Sequence, residues 1–203
     1  MLGVCMLNLN SVDFGELKFP QPLPFCEEPS LSWNLFVQNE QLGVDALECG
    51  IHRLDFYDNQ VRSALMHYIE FPYETLYMYS GTGRGKTYAA LCLLRHWFHK
   101  NKWVRYLQGS QITDIAKNKS IEYLKEVYGD CEFLVIDDFG VNLPADWDQR
   151  ITYELIDYRC QKLKLPTVIT TNCSKDQLRK IVGERTVSRL RGTEIEFCGV
   201  DLR

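Results

Sequence analysis

The sequence predicts an α/β protein built on a parallel β-sheet with helices on both faces. Three observations carry this. Five short apolar segments (75–80, 103–108, 132–137, 166–171 and 193–198) alternate with helical patterns from residue 51 onward, and strands separated by helix-length stretches read as βαβ units. Two of them, EFLVID and PTVITT, are nearly continuously apolar, as strands buried on both faces are. A glycine-rich loop, SGTGRGKT (80–87), joins the first strand to a long helical pattern.

In order, NQVRSALMHYIE (59–70) is a helix with Val61, Leu65, Met66 and Ile69 on one face. TLYMYS (75–80) is a strand, and KTYAALCLLRHWFHKN (86–101) is the helix after the loop. WVRYLQ (103–108) is a second strand, and ITDIAKN and SIEYLKEVYG form one or two short helices. EFLVID (132–137) is the third strand, followed by a helix over DWDQRITYELIDYRCQKL (146–163). PTVITT (166–171) is a strand, KDQLRKIVG (175–183) a helix and TEIEFC (193–198) the last strand.

Upstream the character changes. PQPLPFCEEP (20–29) holds four prolines in ten positions, and proline fixes φ and removes a donor, so this is an extended arm. SWNLFVQNEQLGVDALECG reads as one or two short helices. The chain divides into an arm, 1–50, and a body, 51–203. The arm has one base and seven acids, the body 22 bases and 20 acids. The acidic arm, with Phe25, Trp33 and Phe36 expected on its surface, reads as a partner-docking element. The net charge of −4 excludes a uniformly basic nucleic-acid binder but leaves room for a local patch. No run of 18 apolar residues exists, so no membrane span is expected. The opening MLGVCMLNLN lacks a basic start and is broken by Asn8 and Asn10, so it is not read as a signal peptide. The eight cysteines are scattered and form no CxxC pair. They read as reduced core thiols of a cytoplasmic protein. His96 and His99, three apart, are taken as surface residues rather than metal ligands.

The chemistry lies in three motifs. The phosphate-loop pattern is G-x-x-x-x-G-K-[ST]. Gly85, Lys86 and Thr87 fit it, while Ser80 replaces the first glycine. Gly81, Gly83 and Gly85 supply backbone freedom, so that the loop from Gly81 through Thr82, Gly83, Arg84, Gly85, Lys86, Thr87 and Tyr88 can turn N–H groups toward phosphate at a helix N-terminus. Lys86 reaches the β- and γ-phosphates and Thr87 holds Mg2+. Arg84, at the loop tip, either touches phosphate or points into solvent. A glycine-rich turn with a chance Lys-Thr pair is the rival reading. In EFLVIDDFG, Asp137 and Asp138 end an apolar strand, where ligands bind in open α/β sheets. The first can hold Mg2+ and the second can orient or deprotonate a water. In PTVITTNCS, Asn172 ends another strand and could position that water, or could serve a local turn.

SGTGRGKT, LVIDDFG, ITYELIDYRC, LPTVITTN, GERTVSRL and a terminal GVDLR occur in this order. Over roughly residues 51–203 the set resembles the bacterial helicase-loader family, the DnaC/IstB-like branch of the AAA+ ATPases. The resemblance implies a five-stranded parallel sheet flanked by helices, with a very reduced lid because the chain stops at Arg203. It makes Lys86 and Thr87 the Walker A pair, Asp137 and Asp138 the Walker B pair, and Asn172 the sensor of the γ-phosphate. Arg189 matches an arginine finger that reaches a neighbouring subunit, with Arg185 and Arg191 as rivals, and Arg203 matches a second sensor on the same subunit's nucleotide. Arginine suits such roles because it stays charged and forks onto phosphate oxygens. The resemblance also implies ATP/ADP and Mg2+ as ligands, self-association through Arg189, and a hexameric replicative helicase as partner. It further implies single-stranded DNA contacts by Lys117, Lys119 and Ser120. Asp138 stands where many AAA+ members carry Glu; its shorter arm could slow hydrolysis, although Asp is common in this branch. The alternatives are an IstB-like ATPase serving transposition and a nucleotide-gated adaptor with little turnover.

Overall fold

The computed structural model describes residues 31–72, 75–141, 143 and 148–198. Arg203, Phe25 and the proline-rich stretch lie outside them.

The strands β1 (Thr75–Tyr79), β2 (Val104–Gln108), β3 (Phe133–Asp137), β4 (Thr167–Thr171) and β5 (Gly192–Glu196) form one sheet in the order β2-β3-β4-β1-β5. Each pairing is parallel. The expected five strands are present, the last one starting one residue earlier and ending two residues earlier than expected.

Alternation along the strands sorts the core into two layers. Leu76, Met78, Val104, Phe133, Val135 and Val168 face one side, with helices α1 (Leu31–Asn39), α2 (Asp45–Glu48), α3 (Asn59–Glu70) and α4 (Lys86–His99). Tyr77, Leu107, Leu134, Ile136 and Ile169 face the other side. There they meet α5 (Ile112–Asn118), α6 (Ile121–Leu124), α7 (Gln149–Ile156), α8 (Lys175–Val182) and α9 (Glu184–Arg189). Covering both faces is what leaves β3 and β4 buried throughout.

Local chemistry sets the helix ends. Asp58 accepts from the N–H groups of Gln60 and Val61 and starts α3. Ser174 and Gln177 form a capping box at α8. Beyond Ile156, α7 runs on as a π-helical stretch, Asp157–Leu163, and ends at Lys164 with φ 54°. That stretch carries Arg159, which is fully buried. Its guanidinium donates to the carbonyls of Tyr128, Gly129, Cys131 and Pro166 and to Thr167 Oγ1. One planar fork thus joins the segment before β3 to the start of β4.

Two expectations are corrected here. Trp33 is not an exposed docking residue. Its side chain is fully buried, its indole N–H donates to Ala46 O at 2.8 Å, and its ring packs on Phe36 and Phe98. An indole brings too much apolar surface to leave in water when α4 offers a partner. Arg95 of α4 holds the same segment by donating to the carbonyls of Leu47 and Cys49. His96 is likewise no surface residue: its Nε2 is buried, and burial, then Lys100 and His99, push its pKa down to about 4. Among the described residues no cluster of His, Cys, Asp and Glu suits a metal ion. No helix there is long and apolar enough to cross a membrane.

Candidate nucleotide site

In the strand order, β1 lies between β4 and β5. The loop after β1 therefore sits beside the carboxyl end of β4, with the end of β3 one strand further on. Ligands bind at such a point in open α/β sheets. A cleft of about 920 Å³ opens there, lined on one wall by Thr82 through Tyr88 and on the other by Asp138, Val141 and Asn172. The side toward the N-terminal segment is formed by Asp45, Arg53, Phe56 and Tyr57.

The loop's glycines are needed at two positions. Gly83 has φ 76° and Gly85 φ 81°, a left-handed conformation that side chains resist. Ser80 is not among the residues with positive φ, which is why a serine is tolerated there. Tyr57 steadies the turn from outside by donating to Gly85 O at 2.7 Å.

Lys86 is nearly buried, at 6% exposure. Its ammonium donates to Ser80 O (3.2 Å), Ser80 Oγ (3.1 Å), Gly81 O (2.8 Å) and Asn172 Oδ1 (2.9 Å). The loop is folded around its own cation, and the amide at the end of β4 completes the shell. The substituted Ser80 thus adds an acceptor that glycine could not supply.

Thr87 and Asp137 meet in the same way. Thr87 Oγ1 donates to Asp137 Oδ1 at 2.9 Å. Asp137 is 4% exposed and also accepts from Tyr106 (2.6 Å) and Thr170. A hard cation takes oxygen ligands, and the Thr87–Asp137 pair fits Mg2+ on that ground. Burial and the adjacent Asp137 carboxylate push the Tyr106 phenol well above its ordinary range, so it stays a donor.

Asp138 has φ 50°, a conformation that Asp tolerates better than most residues. The bend turns it into the cleft while its N–H donates to Thr170 Oγ1 at 3.0 Å. Phe139 N–H donates to Thr170 O at 2.8 Å and Phe139 O accepts from Thr171 Oγ1 at 2.6 Å, so the turn is stitched to β4.

The sequence motifs therefore converge: Lys86 with Asn172, and Thr87 with Asp137. Other predicted residues do not join them. Arg189 lies outside the cleft and donates instead to Asp157 Oδ1 at 2.7 Å and to Tyr153 OH at 3.3 Å. Arg185 and Arg191 are exposed. Lys117 and Lys119 are exposed on and after α5, and the Ser120 hydroxyl caps α6 by accepting from Tyr123 N–H. Tyr106 and Thr170 were not singled out as site residues. Alternation from Asp137 across the paired strands puts both on the same face as α4, which was the available signal.

No family model matches the chain. Among curated proteins it is 27% identical over 122 residues to the replicative helicase loader DnaC of Escherichia coli (strain K12), covering 57% of this chain and 49% of that protein. The chain is a homologue of the DnaC helicase loader. It spans about half the length of the curated relatives it matches. A shorter match, 36% identical over 70 residues, is to the chromosomal replication initiator protein DnaA of Aliarcobacter butzleri (strain RM4018), over 32% of this chain and 16% of that protein.

Solved structures show the same fold. A DnaC helicase loader structure superposes with a TM-score of 0.63 at 20% identity, covering 76% of this chain and 98% of that one. The DnaI structure gives 0.64 at 19%, with 80% and 94% covered. A DnaA bound to AMPPCP and single-stranded DNA gives 0.60 at 17%, with 70% and 46% covered. The fold is the parallel α/β fold shared by these DnaC, DnaI and DnaA structures.

Proposed function

We propose that this chain binds ATP with Mg2+ in the cleft between β1 and α4, hydrolyses it slowly, and acts in DNA replication as a helicase loader that engages a replicative helicase. The observation that carries this reading is the double meeting of the loop with the neighbouring strand ends, Lys86 with Asn172 and Thr87 with Asp137. A chance glycine turn has no reason to make either contact.

In this reading the N–H groups at the start of α4 receive phosphate oxygens, and Lys86 transfers its charge from the loop carbonyls to phosphate. Thr87 and Asp137 hold Mg2+, which supplies charge neutralisation at the phosphates. Asp138, turned into the cleft, accepts the proton of the attacking water at its carboxylate, and the Asn172 amide orients that water. The acceptors around Lys86 must be exchanged before phosphate is held, which weakens ATP binding. Arg203 would contact the same nucleotide and Arg189 the neighbouring subunit's. Lys117, Lys119 and Ser120 are the proposed single-stranded DNA contacts. Residues 1–50 would carry the helicase-facing surface.

Titration with a fluorescent ATP analogue, paired with co-purification with the replicative helicase, tests this. Wild type should bind both, and Lys86→Ala should lose nucleotide binding by about 100-fold or more while keeping its fold. A Lys86→Ala protein that binds ATP as wild type does, or a wild type that binds neither ATP nor helicase, overturns the reading.

A further inference from the structure

Asp137 is gripped from three elements. Thr87 of α4 donates to it from the cleft side, Thr170 from β4, and Tyr106 from β2 at 2.6 Å to Oδ2. An ionised carboxylate only accepts, and it offers about four lone-pair positions. Donors from both flanking strands therefore fix the plane of the group and leave Thr87 as the partner it shares with the cleft.

Tyr106 is itself anchored. It lies on β2, at the sheet edge, and its backbone N–H points off that edge to Glu40 Oε2 at 3.4 Å. The other carboxylate oxygen of Glu40 pairs with Arg105 Nη1 at 2.8 Å, and the Glu40 side chain is only 11% exposed. Glu40 directly follows α1. The segment that buries Trp33 against α4 thus also grips the strand whose tyrosine reaches Asp137.

We infer that Tyr106 is a positioning residue for Asp137, with Glu40 holding it in place, so that the packing of the α1 segment sets the geometry of the metal-binding end of the site. This rests on the Mg2+–ATP reading above. Partners that orient a metal's ligands typically matter by 10- to 100-fold in metal affinity. The phenol should therefore be felt only when Mg2+ is present.

The test measures ADP binding by titration calorimetry on the full chain, once with Mg2+ and once with EDTA, and records thermal unfolding without metal. Tyr106→Phe deletes a single oxygen. It should weaken binding about 10-fold with Mg2+, leave binding in EDTA unchanged, and unfold close to wild type. Glu40→Ala should give a smaller loss of the same Mg2+-dependent kind. If Tyr106→Phe matches wild type with Mg2+, or loses equally in both conditions, the positioning role is overturned. An effect of Tyr106→Phe without any from Glu40→Ala removes Glu40 from the account. A wild type that binds no nucleotide overturns the proposed function itself, and this inference with it.

Discussion

Lys86 Nζ and Asn172 Oδ1 meet at 2.9 Å across 86 positions of sequence. The cation of the loop and the amide ending β4 form one hydrogen-bonded unit. In the proposed mechanism the amide has two partners in turn, the lysine at rest and the attacking water afterwards.

Replacing Asn172 should therefore separate binding from turnover. Asn172→Ala should bind ATP at least as tightly as wild type, because Lys86 keeps its phosphate contact and loses one competing acceptor. Its turnover should fall roughly 100-fold, the scale for removing one preorganised polar group from a reacting centre. Single-turnover hydrolysis beside equilibrium binding reads both quantities.

Ser80→Gly restores the usual first residue of the loop and removes one of the four acceptors that hold Lys86. A hydrogen bond of this kind contributes about 0.5–1.5 kcal/mol net. The lysine then has less to give up when phosphate arrives, so ATP binding should tighten by about 2- to 10-fold. Equal or weaker binding would show that Ser80 does not restrain the lysine.

The elements of this fold were legible because strands and helices announce themselves by period, and β3 and β4 by their nearly continuous lack of charged residues. The site was legible where chemistry is written in adjacent letters, as in Gly85-Lys86-Thr87 and Asp137-Asp138. Tyr106 was not, because its role depends on the pairing of β2 with β3, which no local pattern encodes. Trp33 was misread for a related reason: an acidic, proline-bearing neighbourhood suggested exposure, whereas its fate is set by Phe98 and Arg95, more than sixty residues away.

Arg159 tests the fold rather than the site. It is fully buried and serves four carbonyls and a hydroxyl. Arg159→Ala strands those acceptors in a dry interior and should cost about 3–5 kcal/mol. Lysine lacks the planar fork, so Arg159→Lys should recover only part. Urea unfolding of the three proteins ranks them, and near-equal midpoints would contradict the role assigned to Arg159.

His96 gives stability a slope in acid. Its folded pKa of about 4 lies below its ordinary 6.5. Between those values the unfolded chain takes up a proton that the folded chain refuses, so stability falls as pH drops through that window. Discounted for its partial exposure, the loss between pH 7 and pH 5 should be about 1 kcal/mol. His96→Gln should remove that part of the slope, which urea midpoints at the two pH values would reveal.

Arg189 poses the sharpest question about assembly. It is bonded within its own chain to Asp157 and Tyr153, with its guanidinium 5.8 Å from the Tyr153 ring centre. In the proposed role, an arginine serving a neighbour's nucleotide has to leave these partners, and the ion pair would then oppose assembly. Weakening the hold while keeping the finger should favour association: Asp157→Asn should self-associate at lower concentration than wild type in the presence of Mg2+ and a non-hydrolysable ATP analogue. Arg189→Ala, with no finger to offer, should associate less than wild type. Sedimentation velocity over a concentration series measures both. If neither variant differs from wild type, the role passes to the exposed Arg185 or Arg191, whose alanine variants the same measurement would separate.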